Sequence, residues 1–172
     1  MTNTDTEIYD STRWGLIPEG ASALLYADGR FVAPKSAAAR FGRVRWITVM
    51  GTPGAARYAG VADYEQGNPI FTGRSLVTWA QTRLQMNCRA RVYTNLTNFR
   101  AAYSQVHNLS NVRYHIATLN DTEVDHELTA AQLTQMIKEK WGITIDQEWI
   151  WAHQWWGGPT APFDKSRLLG TW

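Results

Sequence analysis

Short apolar runs rich in β-branched and aromatic residues alternate along the chain with segments of helical periodicity. Runs of about four to eight such residues, bounded by Gly, Pro, Asn or Asp, are typical of β-strands. Strands separated by helical segments indicate βα units that feed a parallel sheet. The eight predicted strands cover residues 7–10, 23–28, 44–51, 59–65, 90–95, 113–119, 148–155 and 162–165.

Helical periodicity is clearest in the second half of the chain. In TAAQLTQMIKEKWG, Thr129 is placed to cap the start of a helix and Gly142 to end it. The first half offers only KSAAARFG as a helix candidate. The predicted helices cover residues 35–42, 74–87, 98–106 and 129–142.

These elements predict one domain over residues 1–172. The expected fold is α/β, a small (βα)8 barrel of the TIM type with several outer helices shortened or missing. An open doubly wound α/β sheet is the alternative, because the same alternation of strands and helices permits it.

Composition excludes several classes of function. The net charge is only +2 and the 17 basic residues are scattered, which argues against a nucleic-acid partner. No apolar run reaches the roughly 20 residues of a membrane span, and the polar start MTNTDTEIYD does not resemble a signal peptide. The single cysteine, Cys88, is expected to be a packing residue, and the four histidines lack metal-ligand spacing. We therefore predict no metal, cofactor or membrane contact.

Tryptophan is abundant, with nine residues, five of which fall within 141–156. Indole rings bury large areas, so this window can serve core packing. Alternatively, exposed indole faces there can stack on sugar rings in a carbohydrate cleft. Composition leaves both interpretations open.

Two acids, Asp63 and Glu65, end the fourth predicted strand. They are either surface charges at the start of a loop or one site, because residues i and i+2 of a strand share a face about 6.6 Å apart. Two carboxylates at that separation suit glycoside hydrolysis, and their repulsion raises the pKa of at least one. Further acids end the first, second and eighth predicted strands, and barrel closure would bring strands one, four and eight to one mouth. These acids are Asp10, Asp28 and Asp164.

The order of short motifs along nearly the whole chain resembles the lysozymes of glycoside hydrolase family 25, which are retaining muramidases on a βα barrel. It resembles still more closely an actinobacterial and actinophage group with related barrels, which shares the YDS start, Y-x-D-G in the second strand and D-x-E-x-G in the fourth. The motifs are YDS (9–11), DYE (63–65), VYTN (92–95), YHIATL (114–119), IWAHQWWGG (150–158) and FDKSRLLG (163–170).

The resemblance implies a role for each matching residue. Glu65 would act as general acid and then base, and Asp63 would stabilise the positive reaction centre or a substrate-derived oxazolinium ion. Asp10 and Asp164 would hold and tune this pair. The implied substrate-binding residues are Tyr93, Gln154 and Trp155, with Asp28 as a secondary candidate that has no firm counterpart in the lysozymes.

The expected function is therefore a phage-associated, lysozyme-like glycosidase acting on cell-wall glycan. Without a signal peptide, it would be made in the host cytoplasm and act on the envelope or as a virion component. The alternative is a catalytically weak or inactive glycan-binding or structural module of a phage tail or virion, with other virion proteins as partners. The short interval between Asp10 and Asp63, and HQWW where the lysozymes read W-Q-Y, favour this alternative.

Overall fold

The computed structural model describes residues 7–72, 75–118, 126–157 and 161–170. Within these ranges, eight strands form one closed barrel in which neighbours in the chain are neighbours in the sheet. Strands β1 to β7 are parallel to one another, whereas β8 is antiparallel to both β7 and β1. The strands are β1 (Glu7–Asp10), β2 (Ser22–Tyr26), β3 (Arg43–Thr48), β4 (Val61–Asp63), β5 (Ala90–Asn95), β6 (Val112–Ala117), β7 (Ile150–Trp156) and β8 (Asp164–Leu168).

The α-helices of the described ranges all follow β4. They are α1 (Ser75–Gln85), α2 (Phe99–Val106) and α3 (Ala130–Trp141). Thr129 caps α3 in a capping box with Gln132, and Gly142 ends it with φ of +69°. The connections between the first four strands contain only 3-10 turns, at Trp14–Leu16, Gly29–Phe31, Lys35–Arg40 and Ala55–Arg57.

Both predicted folds are wrong. The barrel is a mixed, mostly β structure with few helices, so it is not an alternating (βα)8 barrel of the TIM type. Parallel neighbours need a crossover of about a dozen residues or more, and the segment between Trp156 and Asp164 is too short for one, so β8 runs back antiparallel. The open doubly wound sheet is excluded because β8 pairs with β1 and closes the ring.

Apolar side chains pack inside the barrel and against its outer surface. The inner cluster fills the middle of the ring, and its residues are Ile8, Leu24, Ile47, Val61, Tyr93, Ala117, Trp151 and Ala152. A larger cluster lies between the strands and the three helices, with fully buried Trp79, Phe99 and Leu133. A third cluster lies beneath the 3-10 turns of the first half.

The tryptophan-rich window mainly serves packing. Trp151 is buried in the inner cluster, while Trp141 and Trp149 pack against the larger one. The indole of Trp141 also donates a hydrogen bond to the carbonyl of Leu96 at 3.0 Å. Trp156, 42% exposed, lies beside the ring of Phe163. No helix in the described part of the chain has the length and apolar character to cross a membrane.

Candidate functional site

Four carboxylates meet at the pole of the barrel where the parallel strands end. Asp10 is the last residue of β1 and Asp63 the last of β4, with Glu65 two residues further on. Asp164 begins β8 and pairs directly with Asp10. Because β8 is antiparallel, its first residue lies where the parallel strands end. We call Asp10, Asp63, Glu65 and Asp164 the carboxylate cluster.

Strand alternation directs the side chains of Asp63 and Glu65 to the same side. Tyr64, between them, faces outward: its hydroxyl accepts a 2.7 Å hydrogen bond from Gln105, and its ring lies 4.7 Å from that of Phe71. Asp63 is only 3% exposed, whereas Glu65 is half-buried. Asp63 therefore forms part of the floor of the site, and Glu65 lies nearer to solvent.

Neutral side chains donate hydrogen bonds to the cluster. The hydroxyl of Tyr26 donates to Asp63 Oδ2 at 3.4 Å, and the side-chain amide of Asn95 donates to Glu65 Oε1 at 3.5 Å. Asp10 and Asp164 share a hydrogen bond. Asp63 Oδ1 and Asp10 Oδ2 are nevertheless buried without a hydrogen-bond partner. Buried carboxylate oxygens without a partner are costly to keep ionised.

Burial and mutual repulsion raise the pKa values of Asp10 and Asp63. Burial raises the pKa of Asp10 well above its usual range, and the charges of Asp164, Asp63 and Glu65 add to this. Burial and the charge of Glu65 likewise raise the pKa of Asp63, although hydrogen bonds from Asn68 and Tyr26 oppose the shift. The cluster therefore retains protons at a pH where isolated carboxyl groups have lost theirs.

Two tyrosines lie within the field of these carboxylates. Burial raises the pKa of both Tyr26 and Tyr93 well above the usual value, and the charges of Asp10, Asp63 and Glu65 contribute. Tyr93, a predicted substrate-binding residue, is buried and contacts the ring of His115 edge-on at 4.8 Å. Both hydroxyl groups therefore stay protonated and can donate hydrogen bonds into the site.

Sequence reasoning missed Tyr26 and Asn95 as members of this pole. Each was detectable in principle, because each ends a strand beside an acid-bearing strand. Tyr26 ends β2 next to β1, and Asn95 ends β5 next to β4. Counting only acids at strand ends overlooks such neutral hydrogen-bond donors.

Asp28 serves the backbone around it. Its carboxylate accepts hydrogen bonds from the hydroxyl of Thr48 at 2.5 Å and from the backbone amides of Val49 at 2.9 Å and Met50 at 3.3 Å. These contacts tie the end of β2 to the turn after β3.

The structure separates the predicted ligands Gln154 and Trp155. Gln154 is 3% exposed, pairs with Ser166 of β8, and has a buried Oε1 atom without a hydrogen-bond partner. Trp155 instead contacts the ring of His153 at 6.1 Å and the ammonium group of Lys165 at 5.7 Å. The described contacts of Trp155 thus lie away from the carboxylate cluster.

The buried histidines have structural partners. His115 Nε2 lies 2.8 Å from the hydroxyl of Ser166 inside the barrel, and burial lowers the pKa of His115 to about 3. His153 accepts a hydrogen bond from the amide of Leu128 at 3.0 Å and lies 2.9 Å from the hydroxyl of Thr118. Burial lowers the pKa of His153 to about 4. Within the described ranges, no group of three or more His, Cys, Asp or Glu side chains is arranged so that it could hold a metal ion, and this includes the carboxylate cluster.

Two cavities open at the rim of the barrel, and their lining does not include any of the four carboxylates. The cavities, of about 450 and 430 Å³, lie on either side of Arg30 and Phe31 and share both residues. The guanidinium of Arg30 lies 4.4 Å from the centre of the Phe31 ring, which lies 5.9 Å from the ring of Tyr26. The hydroxyl of Tyr26 is hydrogen-bonded to Asp63, so the rings of Phe31 and Tyr26 connect the cavities with the acids. We call these two cavities the rim groove; its lining also includes Arg13, Trp14, Met50, Gln66 and Asn68.

The raised pKa values predict a pH-dependent gain of stability in Asp63→Asn. In the folded state Asp63 keeps a proton that the unfolded chain releases above its ordinary pKa of 3.8. Stability from this group is therefore present at low pH and is lost as pH rises through the raised pKa. We expect Asp63→Asn to raise Tm by a few degrees at pH 7 and to change it little near pH 4, measured by calorimetry. The exposed Asp146→Asn is the control, and an equal gain at both pH values would contradict the interpretation.

Gly157 is predicted to be required for the position of Asp164. Its φ is +146°, and a Cβ there would collide with the carboxyl group of Asp164. We expect Gly157→Ala to lower the free energy of unfolding by about 2–4 kcal/mol, measured by denaturant titration. Gly67→Ala, with φ of +98° and open space around it, carries only the backbone strain and should cost less. If the two losses are equal, contact with Asp164 is unimportant; if contact matters, adding Asp164→Ala to Gly157→Ala should recover part of the loss.

Comparisons of the chain with protein-family models, with curated proteins and with solved structures gave no significant match. What this pole of the barrel binds or cleaves is therefore inferred from its own side chains.

Proposed function

We propose that this chain is a lysozyme-like glycoside hydrolase of phage origin that cleaves peptidoglycan-type glycan with retention of configuration, with Glu65 as acid and base. The observation that carries the proposal is the half-buried Glu65 beside three further carboxylates at one pole of the barrel. The resemblance of the motif order to family 25 lysozymes, and to the related actinobacterial and actinophage group, supports the same function.

The proposal gives each carboxyl group a role. Glu65, which is half-buried, would protonate the departing glycosidic oxygen and later take a proton from the attacking water. Asp63, on the same side of the strand, would stabilise the developing positive charge or a substrate-derived oxazolinium ion. Asp10 and Asp164, which share a hydrogen bond, would set the electrostatic potential around Asp63 and Glu65. Repulsion within the cluster favours the protonated form that a general acid needs.

The rim groove is the proposed path of the glycan. The Phe31 ring offers an apolar face for the C–H groups of a sugar, and Tyr26 connects that face to Asp63. Arg13 and Arg30 are the charged residues in the groove lining, which suits the carboxylate substituents of bacterial wall glycans. The proposed setting is synthesis in the host cytoplasm, followed by action on the cell envelope or incorporation into a virion.

A second candidate is a glycan-binding or structural module of a phage tail or virion with weak or no turnover. The first three connections of the barrel carry only 3-10 turns, which leaves little chain to build walls around a substrate. Trp155, expected to line the sugar site, has its described contacts elsewhere. Both features favour recognition of a glycan over enclosure of its scissile bond.

Turnover by Glu65→Gln distinguishes the two candidates. We expect purified bacterial cell wall to release reducing ends with the native protein and at least about a hundredfold more slowly with Glu65→Gln, because the amide cannot donate or accept the proton. Glu139→Gln, on the exposed face of α3, is the matched control and should retain full activity. Equal release by native protein and Glu65→Gln would rule out the assigned role. No release by either, with wall binding retained, would favour the binding module.

Binding through the rim groove is tested separately from turnover. In the Glu65→Gln background, we expect Phe31→Ala to weaken binding of a cell-wall oligosaccharide about tenfold, because the apolar platform is lost. Isothermal titration calorimetry gives the affinity. Phe163→Ala removes an aromatic ring that contacts Tyr9 and Trp156 and should leave binding unchanged. Equal losses in the two variants would indicate a general effect on the fold and contradict a groove-specific role.

A further inference from the structure

The chain after β5 is held firmly at the pole that carries the carboxylate cluster. The backbone amide of Leu96 donates a hydrogen bond to the carbonyl of Ala117 at 3.0 Å, and the Leu96 carbonyl accepts one from the indole of Trp141 at 3.0 Å. The side chains of Leu96 and Phe99 are 1% and 0% exposed. Contacts from β6 and α3 therefore fix the position of Asn95, the last residue of β5.

The register of the sheet places Asn95 beside Glu65. Asp63 pairs with Tyr93 across β4 and β5, and Glu65 and Asn95 each lie two residues further along the chain. The backbone amide of Tyr64 donates to the carbonyl of Tyr93 at 2.8 Å, so the chain stays next to β5 beyond the end of β4. Since residues i and i+2 of an extended segment face the same side, Asn95 meets Glu65 on the side of the carboxylate cluster.

A backbone contact determines the orientation of the Asn95 side-chain amide. Its Oδ1 atom accepts a hydrogen bond of 2.8 Å from the backbone amide of Asn98, just before α2. Only the oxygen of a side-chain amide can accept from an N–H group, so Nδ2 must lie on the other side of the group. That nitrogen lies 3.5 Å from Glu65 Oε1, to which it donates. Asn95 therefore presents a donor, and not an acceptor, to this carboxyl group.

We propose that Asn95 is a positioning residue that keeps Glu65 Oε1 as an acceptor, so that the proton of the acid form is carried by Oε2. The inference rests on the proposed role of Glu65 as acid and base. The Oε2 proton would pass to the glycosidic oxygen as the bond from that oxygen to the sugar carbon breaks and its electron pair stays on the oxygen. Glu65 is left as a carboxylate, and the N–H group of Asn95 stabilises the new charge. Hydrogen bonds of this kind are often long before a ligand binds, as the 3.5 Å contact is.

Acidic groups near Glu65 oppose its ionisation, whereas Asn95 favours it. The charge of Glu65 acts on two carboxyl groups and two tyrosine hydroxyl groups, and a further carboxyl group, that of Asp164, shares a hydrogen bond with Asp10. Repulsion between carboxylates favours the protonated form of each. The Asn95 amide is neutral at every pH and only donates to Glu65, so its removal should shift the ionisation of Glu65 to higher pH. The four groups on which Glu65 acts are Asp10, Asp63, Tyr26 and Tyr93.

Two substitutions separate the donor to Glu65 from the turn before α2. Asn95→Asp keeps an oxygen for the backbone amide of Asn98 but removes the N–H group that faces Glu65, whereas Asn95→Ala removes both. With a soluble cell-wall oligosaccharide, we expect each variant to lower kcat about tenfold and to leave KM within about twofold. Asn108→Ala, in an exposed turn after α2, is the matched control and should keep both constants. Full activity of folded Asn95→Asp would show that Asn95 serves only the turn and would overturn the proposal.

A second readout does not depend on turnover. In protein that is isotope-labelled at the glutamate side-chain carboxyl carbons, the Glu65 signal is identified by its absence from Glu65→Gln and is followed by NMR against pH. We expect its midpoint to move to higher pH in Asn95→Ala and further in Asn95→Asp, whose added charge repels Glu65, but not in Asn108→Ala. If the native chain shows no turnover, the proposed glycosidase function fails, and the midpoint alone tests the contact between Asn95 and Glu65. The same midpoint in the native chain and in both folded Asn95 variants would overturn the proposal, with or without turnover.

Discussion

Closure of the ring by β8 is the constraint on which the rest of the structure depends. This strand pairs with β7 on one side and β1 on the other, and it runs against both. Its direction has a chemical consequence: the start of β8 lies at the pole where the parallel strands end, so Asp164 pairs with Asp10. A parallel eighth strand of the same sequence would place Asp164 at the opposite pole. The antiparallel turn thus completes the carboxylate cluster as well as the sheet.

Closure also separates charge into two poles. Acids end β1 and β4 and begin β8, while arginines lie near the starts of β3, β5 and β6. Burial and like charges raise the pKa values of Asp10 and Asp63 at one pole and lower the pKa of Arg91 at the other. Shifts of this kind cost the folded chain stability, and perturbed carboxyl groups are typical of functional sites. The net charge of +2 conceals this division, because the two poles offset one another in the total.

Local patterns predicted the elements better than their arrangement. Each of the eight predicted strand segments overlaps an observed strand, and the caps at Thr129 and Gly142 follow from side-chain and backbone chemistry within a few residues. The fold class failed because strand direction and helix content depend on connection length. The segment 35–42 has helix-forming residues but forms only a 3-10 turn, and the segment before β8 has no room for a crossover.

Local patterns also limit how much of the candidate site can be predicted. Strand alternation predicts that Asp63 and Glu65 lie on the same side of their strand. Because Asp10 and Asp164 lie at strand ends, closure of the ring brings them together. The positions of Asp28 and Trp155 could not be predicted in this way. The three hydrogen bonds of Asp28 depend on a turn after β3, and the orientation of Trp155 depends on an irregular register between β7 and β8.

Within the cluster, burial decides which carboxyl group can meet a ligand. Asp10 and Asp63 are 6% and 3% exposed, so they act mainly through charge and hydrogen bonding. Glu65 lies two residues beyond the end of β4, half-buried, with an amide donor from Asn95 beside it. Its longer side chain and its position past the strand let it contact solvent and the buried acids at once. A ligand at this pole would therefore meet the half-buried acids Glu65 and Asp164 before the buried Asp10 and Asp63.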